Sequence, residues 1–126
     1  MRGLPNSAEH MRKYNLNKIV LTEALDRCNK SHYDWITTVC FYSALHIVEA
    51  KFAKKNIDHK NHKDRENEMR ESDLFNRKLT DKYKMLSTYS KIARYGPGSI
   101  DSTLVSCSLQ YLKDIEDEIL PEVVKV

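Results

Sequence analysis

Residues 34–50 read DWITTVCFYSALHIVEA, an apolar run in which His46 and Glu49 stand three apart. Trp35, Val39, Tyr42, His46, Glu49 and Ala53 recur at alternating steps of four and three, the spacing of one stripe of a helix packed in a bundle. Phe41, Leu45, Val48 and Phe52 make a second stripe beside it. A helix that is apolar on two stripes is predicted to be central to its fold. Ionisable groups in such a helix are costly to bury unless they are paired or hydrogen-bonded, so His46 and Glu49 require partners.

Working outward, this helix is predicted over residues 32–54, with Ser31 and Asp34 as a capping box in which Asp replaces the usual Glu. Upstream, residues 7–28 form a helix with Ser7 as N-cap and with Leu21, Ala24, Leu25 and Cys28 at helical spacing. Downstream, residues 54–70 are strongly polar and read as a loop entering a short helix. There Asn56, Asp58 and Asn61 favour local bonds from side chain to backbone. A third long helix covers residues 76–94, with Leu79, Tyr83, Leu86, Ser90 and Ala93 on one face, and Tyr95-Gly96-Pro97-Gly98 is a turn. A fourth covers residues 101–120, with Leu104, Tyr111, Leu112, Ile115 and Ile119 inward and Pro121 ending it. The sum is an all-α antiparallel bundle of four to five helices with one longer, irregular connection.

Composition agrees. The chain has 126 residues, enough for one domain, with 40% hydrophobic residues and only three glycines and three prolines, too few turn formers for an all-β fold. A net charge of +3 permits contact with nucleic acid without demanding it. Cys28, Cys40 and Cys107 are widely spaced without a CxxC pair, which fits a reduced, cytoplasmic protein with buried thiols. No secretory signal is read at the N-terminus, and the longest apolar run is too short and too polar to span a bilayer, so no membrane partner is expected.

Three blocks stand in order: Asp34-Trp35 with Phe41-Tyr42-Ser43-Ala44-Leu45-His46-xx-Glu49-Ala50; His62-xx-Arg65; and Tyr83-xx-Leu86-xxx-Ser90-xxx-Arg94-Tyr95. Together they resemble the HEPN-type helical bundle proteins, in the subgroup of small stand-alone prokaryotic members. The resemblance covers residues 9–96. It implies a four- or five-helix bundle that commonly dimerises. Many members are metal-independent endoribonucleases of toxin–antitoxin, CRISPR and anti-phage systems; others are non-catalytic modules that bind nucleic acid or a partner protein. The family's ribonuclease motif is an Arg, a polar residue, three variable residues and a His at the start of the last long helix. The last helix of this chain has neither Arg nor His, and the one such spacing, Arg27-xxxx-His32, lies between the first two helices with Cys28 at the polar position.

His62 and Arg65 share a face if their segment is helical. Metal-free RNA cleavage needs a base for the 2′-hydroxyl, an acid for the leaving oxygen and a cation for the phosphorane; His supplies the first two and Arg the third. A two-fold dimer would bring two copies of each to one cleft. His62, Arg65 and His46 are therefore the candidate catalytic residues, with Glu49 and Tyr42 supporting and with Arg94, Tyr95, Lys60 and Lys63 as candidate contacts to RNA. The structural alternative has Arg65 salt-bridged to Glu49 and the His46–Glu49 pair as a satisfied polar cluster that fixes helix register. Tyr83, Tyr89 and Tyr111 read as core or interface. His46, Glu49, His59 and His62 match no metal motif. No GxGxxG, P-loop or Gly-rich nucleophile elbow occurs, so no cofactor is expected. The expected function is RNA-directed, as a metal-independent endoribonuclease or as a non-catalytic module binding RNA or a partner protein, in a homodimer.

Overall fold

The computed structural model describes residues 6–27, 33–57, 59, 61–95 and 100–123. They form five α-helices: α1 (Ser7–Arg27), α2 (Tyr33–Ala53), α3 (His62–Glu71), α4 (Arg77–Tyr95) and α5 (Ser102–Val123). No strand occurs among the described residues. The expected all-α bundle is what is observed.

Short polar side chains set the helix starts. Asn6, Asn61, Asn76 and Asp101 each accept, through the side-chain oxygen, the backbone N–H three residues on, at 2.8, 2.8, 2.8 and 2.9 Å. This satisfies one of the donors that a helix start leaves orphaned. The N-cap of α1 is thus Asn6 and not Ser7, because the amide oxygen of Asn6 reaches Glu9 N–H from one residue earlier. The proposed cap at Ser31, like Cys28, His32 and the Gly96-Pro97-Gly98 turn, lies outside the described residues. Past Ala53 the chain turns at Asn56, which takes φ 60° while Ile57 N–H bonds back to Phe52 C=O at 3.1 Å and Asn56 N–H to Ala53 C=O at 3.0 Å. Asn tolerates this left-handed position better than most residues, and the paired bonds close the helix end.

Pro121 does not end α5, which continues to Val123. A proline near a helix end removes a single bond, here to the carbonyl of Asp117, a residue exposed to solvent. Val123 is buried and Glu122 pairs with Lys51 at 2.8 Å, which holds the last turn in place.

α2 lies in the middle and packs against α1, α4 and α5. Ile36, Phe41, Ile47, Val48 and Phe52 are almost wholly buried, and Tyr83, Leu86, Leu112, Ile115 and Ile119 meet them from α4 and α5. Each such side chain contributes about 1.5–3 kcal/mol of apolar burial. The helix directions follow from the contacts. His10 meets His46 while Asn17 and Val20 border Trp35, so α1 and α2 run oppositely. Phe52 packs edge-on against Phe75, just before α4, and Arg94 near the end of α4 reaches Tyr42. Asn76, Lys82 and Tyr89 meet Glu118, Asp114 and Tyr111 in reverse order along α5. α1 is tied to α5 through Glu116, which accepts from the Tyr14 hydroxyl and pairs with Lys18 at 2.8 Å. One expectation for α2 fails at its first turn: Trp35 is 53% exposed, because the stripe reaches the bundle surface there. No described helix is long and apolar enough to cross a membrane.

Candidate functional site

Glu49 is the one carboxylate of α2 beyond its first turn, and its side chain is 2% exposed. Its Oε1 accepts two bonds: from Arg65 Nε at 2.5 Å and from His59 Nδ1 at 2.9 Å. The Asn61 cap starts α3 so that Arg65, a turn later, faces the core; its backbone N–H bonds to Asn61 C=O at 3.3 Å. Arg65 Nη1 then donates to His62 Nδ1 at 2.9 Å and, more weakly, to the Tyr83 hydroxyl at 3.5 Å. Glu49, His59, Arg65, His62 and Tyr83 therefore form one network joining α2, the segment before α3, α3 and α4.

The chemistry of the donors fixes the protons. A carboxylate only accepts, so His59 Nδ1 carries a hydrogen; its Nε2 is buried and has no partner among the described residues. Arg only donates, so His62 Nδ1 is an acceptor and the ring's hydrogen sits on Nε2. Burial first, then the positive charges of Arg65, Arg94 and Lys91, hold the His62 pKa below its ordinary value, with Glu66 opposing. The Tyr83 hydroxyl is pushed well above its ordinary range by burial, with Arg65 opposing.

A second group borders the first across the Phe41 ring, which packs against Tyr42, His62 and Tyr83 at centroid distances of 5.2, 5.6 and 5.6 Å. Arg94 Nη1 donates to the Tyr42 hydroxyl at 2.7 Å, and the guanidinium lies 5.4 Å from the centre of the Tyr42 ring. Arg94 Nε also donates to Ser90 C=O at 3.3 Å. His46 Nδ1 lies 3.1 Å from His10 Nδ1, and one of the two carries the shared hydrogen. Burial, with added repulsion from His10, Lys13 and Arg65, depresses the His46 pKa to about 4. Tyr42 and His46 also line a surface groove of about 280 Å³ with Asn17, Val20, Trp35, Thr38 and Val39.

Most of the candidate residues are thus brought together. His62 and Arg65 are bonded to each other, Glu49 anchors Arg65, and Tyr42 holds Arg94. Glu49 does not orient His46, whose partner is His10. The expected Arg65–Glu49 salt bridge is present. Lys63 is exposed on the first turn of α3 and takes no part in the network. Lys60 lies outside the described residues, and Tyr95 is described only as the last residue of α4. Of the three tyrosines read as core or interface, Tyr83 is core and the part-buried Tyr89 and Tyr111 rings stack at 6.4 Å. Cys40 is buried, which pushes its thiol pKa up to about 12, and Cys107 is free. No group of three or more His, Cys, Asp and Glu side chains is placed to hold a metal ion among the described residues.

Four participants, His10, Phe41, His59 and Tyr83, stand outside the candidate site residues; Tyr83 reads as core or interface and His59 enters only within a set that matches no metal motif. His10 was legible only as a polar residue in register with Tyr14 and Leu21 on the inner face of α1. Phe41 looked like core alone, yet its ring is the partition between the two groups. Comparison of the chain with family models, with curated proteins and with solved structures gives no match.

Proposed function

We propose that the chain is a non-catalytic, HEPN-like module that binds RNA and works as a homodimer. One observation carries this reading. The two groups that metal-free cleavage would recruit are already committed inside the protein, Arg65 to Glu49 and the Nδ1 lone pair of His62 to Arg65. His62 retains an Nε2–H, which donates a hydrogen bond but does not abstract a proton. A guanidinium buried at 7% exposure is held for structure and not for a phosphorane.

What favours an anionic ligand is the charge at the His62 edge of the site. Arg94 and Lys91 bear on the His62 ring from α4, and exposed Lys63 stands beside it on α3. A phosphate approaching His62 Nε2–H would meet these cations. The ordered blocks that carry the resemblance support the HEPN-like assignment: their Tyr42, His46, His62, Arg65 and Arg94 fall into two neighbouring polar groups on either side of the Phe41 ring. The alternative is a metal-independent endoribonuclease of a toxin–antitoxin or defence system. In that reading's favour, the cations that help hold the His62 pKa down are ones a bound phosphodiester would offset.

The test is fluorescence anisotropy with labelled single-stranded RNA in excess EDTA, with the same mixtures run on a denaturing gel. With about three phosphate contacts, Kd rises about 20-fold between about 50 and about 200 mM salt. Lys63→Glu and Lys91→Glu each weaken binding, and the RNA stays intact. Discrete products with 2′,3′-cyclic phosphate ends, lost in His62→Ala, would replace this reading with the nuclease. Absence of binding at low salt would end both.

A further inference from the structure

α1 has a second organised face. Tyr14 and Leu21 point into the core, whereas Leu16 and Ile19 on the opposite side are 51% and 57% exposed. Val20 is also exposed, and exposed Trp35 lies across the groove from it, which widens the apolar strip onto α2. At about 100° per residue, Arg12, Leu16, Ile19 and Glu23 fall within an arc of about 60°. The arc is basic at one end, aliphatic in the middle and acidic at the other. Arg12 and Glu23 are exposed, and neither has an ion-pair partner among the described residues.

This pattern is its own complement. Arg12 and Glu23 lie equally far along the helix from the Asn17–Lys18 peptide bond, as do Leu16 and Ile19. A copy of α1 turned end for end about that point sets each Arg12 against a Glu23 and each Leu16 against an Ile19. A two-fold interface requires such a self-complementary patch, and contiguous exposed aliphatic surface marks an interaction face. We propose that α1 packs antiparallel against α1 of a second copy of this chain, on a two-fold axis beside the Asn17–Lys18 peptide. A stable dimer buries about 800 Å² per protomer, about a tenth of the 7721 Å² surface. The strip along α1 supplies the centre of that area, and Val20 with Trp35 extends it sideways. The opposed charges fix the register: a parallel pairing sets Arg12 against Arg12 and Glu23 against Glu23, and like charges across an interface are rejected.

This rests on the homodimeric half of the proposed function and on nothing in its RNA-binding half. The experiment is sedimentation equilibrium on the full chain and on charge-reversed variants, each checked for helix content by circular dichroism. The wild type sediments at twice its 14.8 kDa mass. Arg12→Glu and Glu23→Arg each place like charges together and raise the dimer Kd by about tenfold or more, and the double variant R12E/E23R restores it to within about threefold of wild type. Leu16→Asp with Ile19→Asp gives a folded monomer. A dimer whose Kd ignores both reversals, or that the double variant does not rescue, keeps the homodimer and overturns this contact. A folded wild type that stays monomeric at the highest concentration overturns both.

Discussion

Glu49 shows how one residue constrains many. A buried carboxylate is tolerated when charge and hydrogen bonds surround it, and Arg65 and His59 do this from one oxygen. Removing the carboxylate strands a buried guanidinium, so Glu49→Gln is expected to cost about 3 kcal/mol, roughly 10 °C in Tm. Glu49→Gln with Arg65→Met is expected to cost less than Glu49→Gln alone, because no charge is then left unpaired. Thermal melts of the three chains decide it, and a Glu49→Gln melt superimposed on wild type would refute the structural role. His46 gives a pH prediction. Its pKa is about 4 in the folded chain and about 6.5 when unfolded. Below about pH 6.5 the unfolded chain takes up a proton that the folded one refuses until about pH 4. Its contribution is therefore complete above about pH 6.5 and lost as pH falls through that window. His62 shifts in the same direction. Tm measured between neutral pH and about pH 4.5 should fall less steeply in His46→Gln than in wild type; identical slopes would exclude His46 as a source.

The helices are legible in the sequence because their periodicity is long and regular, and their ends are less so because they depend on single hydrogen bonds. α4 illustrates this. Its inner face was legible from Leu79, Tyr83 and Leu86, and its start lies within a residue of the expected one because Asn76 caps it. Asn76 Nδ2 also donates to both Glu118 oxygens, at 3.0 and 2.9 Å, and so ties the start of α4 to α5. Asn76→Ala should cost about 1 kcal/mol, while Asn76→Ser, which keeps an acceptor for Leu79 N–H, should retain most of it. Urea titrations of both variants test this; equal losses would assign the effect to the Glu118 bonds instead. The end of α5 was misread because the local rule for proline is outweighed by long-range anchoring of Glu122 and Val123. Of the candidate site, the salt bridge between Arg65 and Glu49 was legible, since an acid inside an apolar helix needs a cation. The pairing of His46 with His10 was not, because periodicity says which face a residue occupies and nothing about which helix it meets.

At the scale of the whole molecule, the all-α bundle and its antiparallel sense followed from helix count and short connections. The division of the polar residues into two groups did not, because it depends on where one aromatic ring of α2 comes to rest between α3 and α4. That central position of α2 has a consequence for synthesis. The helix leaves the ribosome before α4 and α5 exist to cover it, since α4 ends at Tyr95, some forty residues after Ala53 closes α2. At about 5–20 residues per second, the apolar side awaiting α4 stays bare for roughly 2–8 s and the side awaiting α5, which ends at Val123, for roughly 4–14 s. During those seconds the nascent chain is at its stickiest, and the polar stretch from Lys54 to Arg70, translated next, is the solubilising tether that the half-built hairpin carries through the wait.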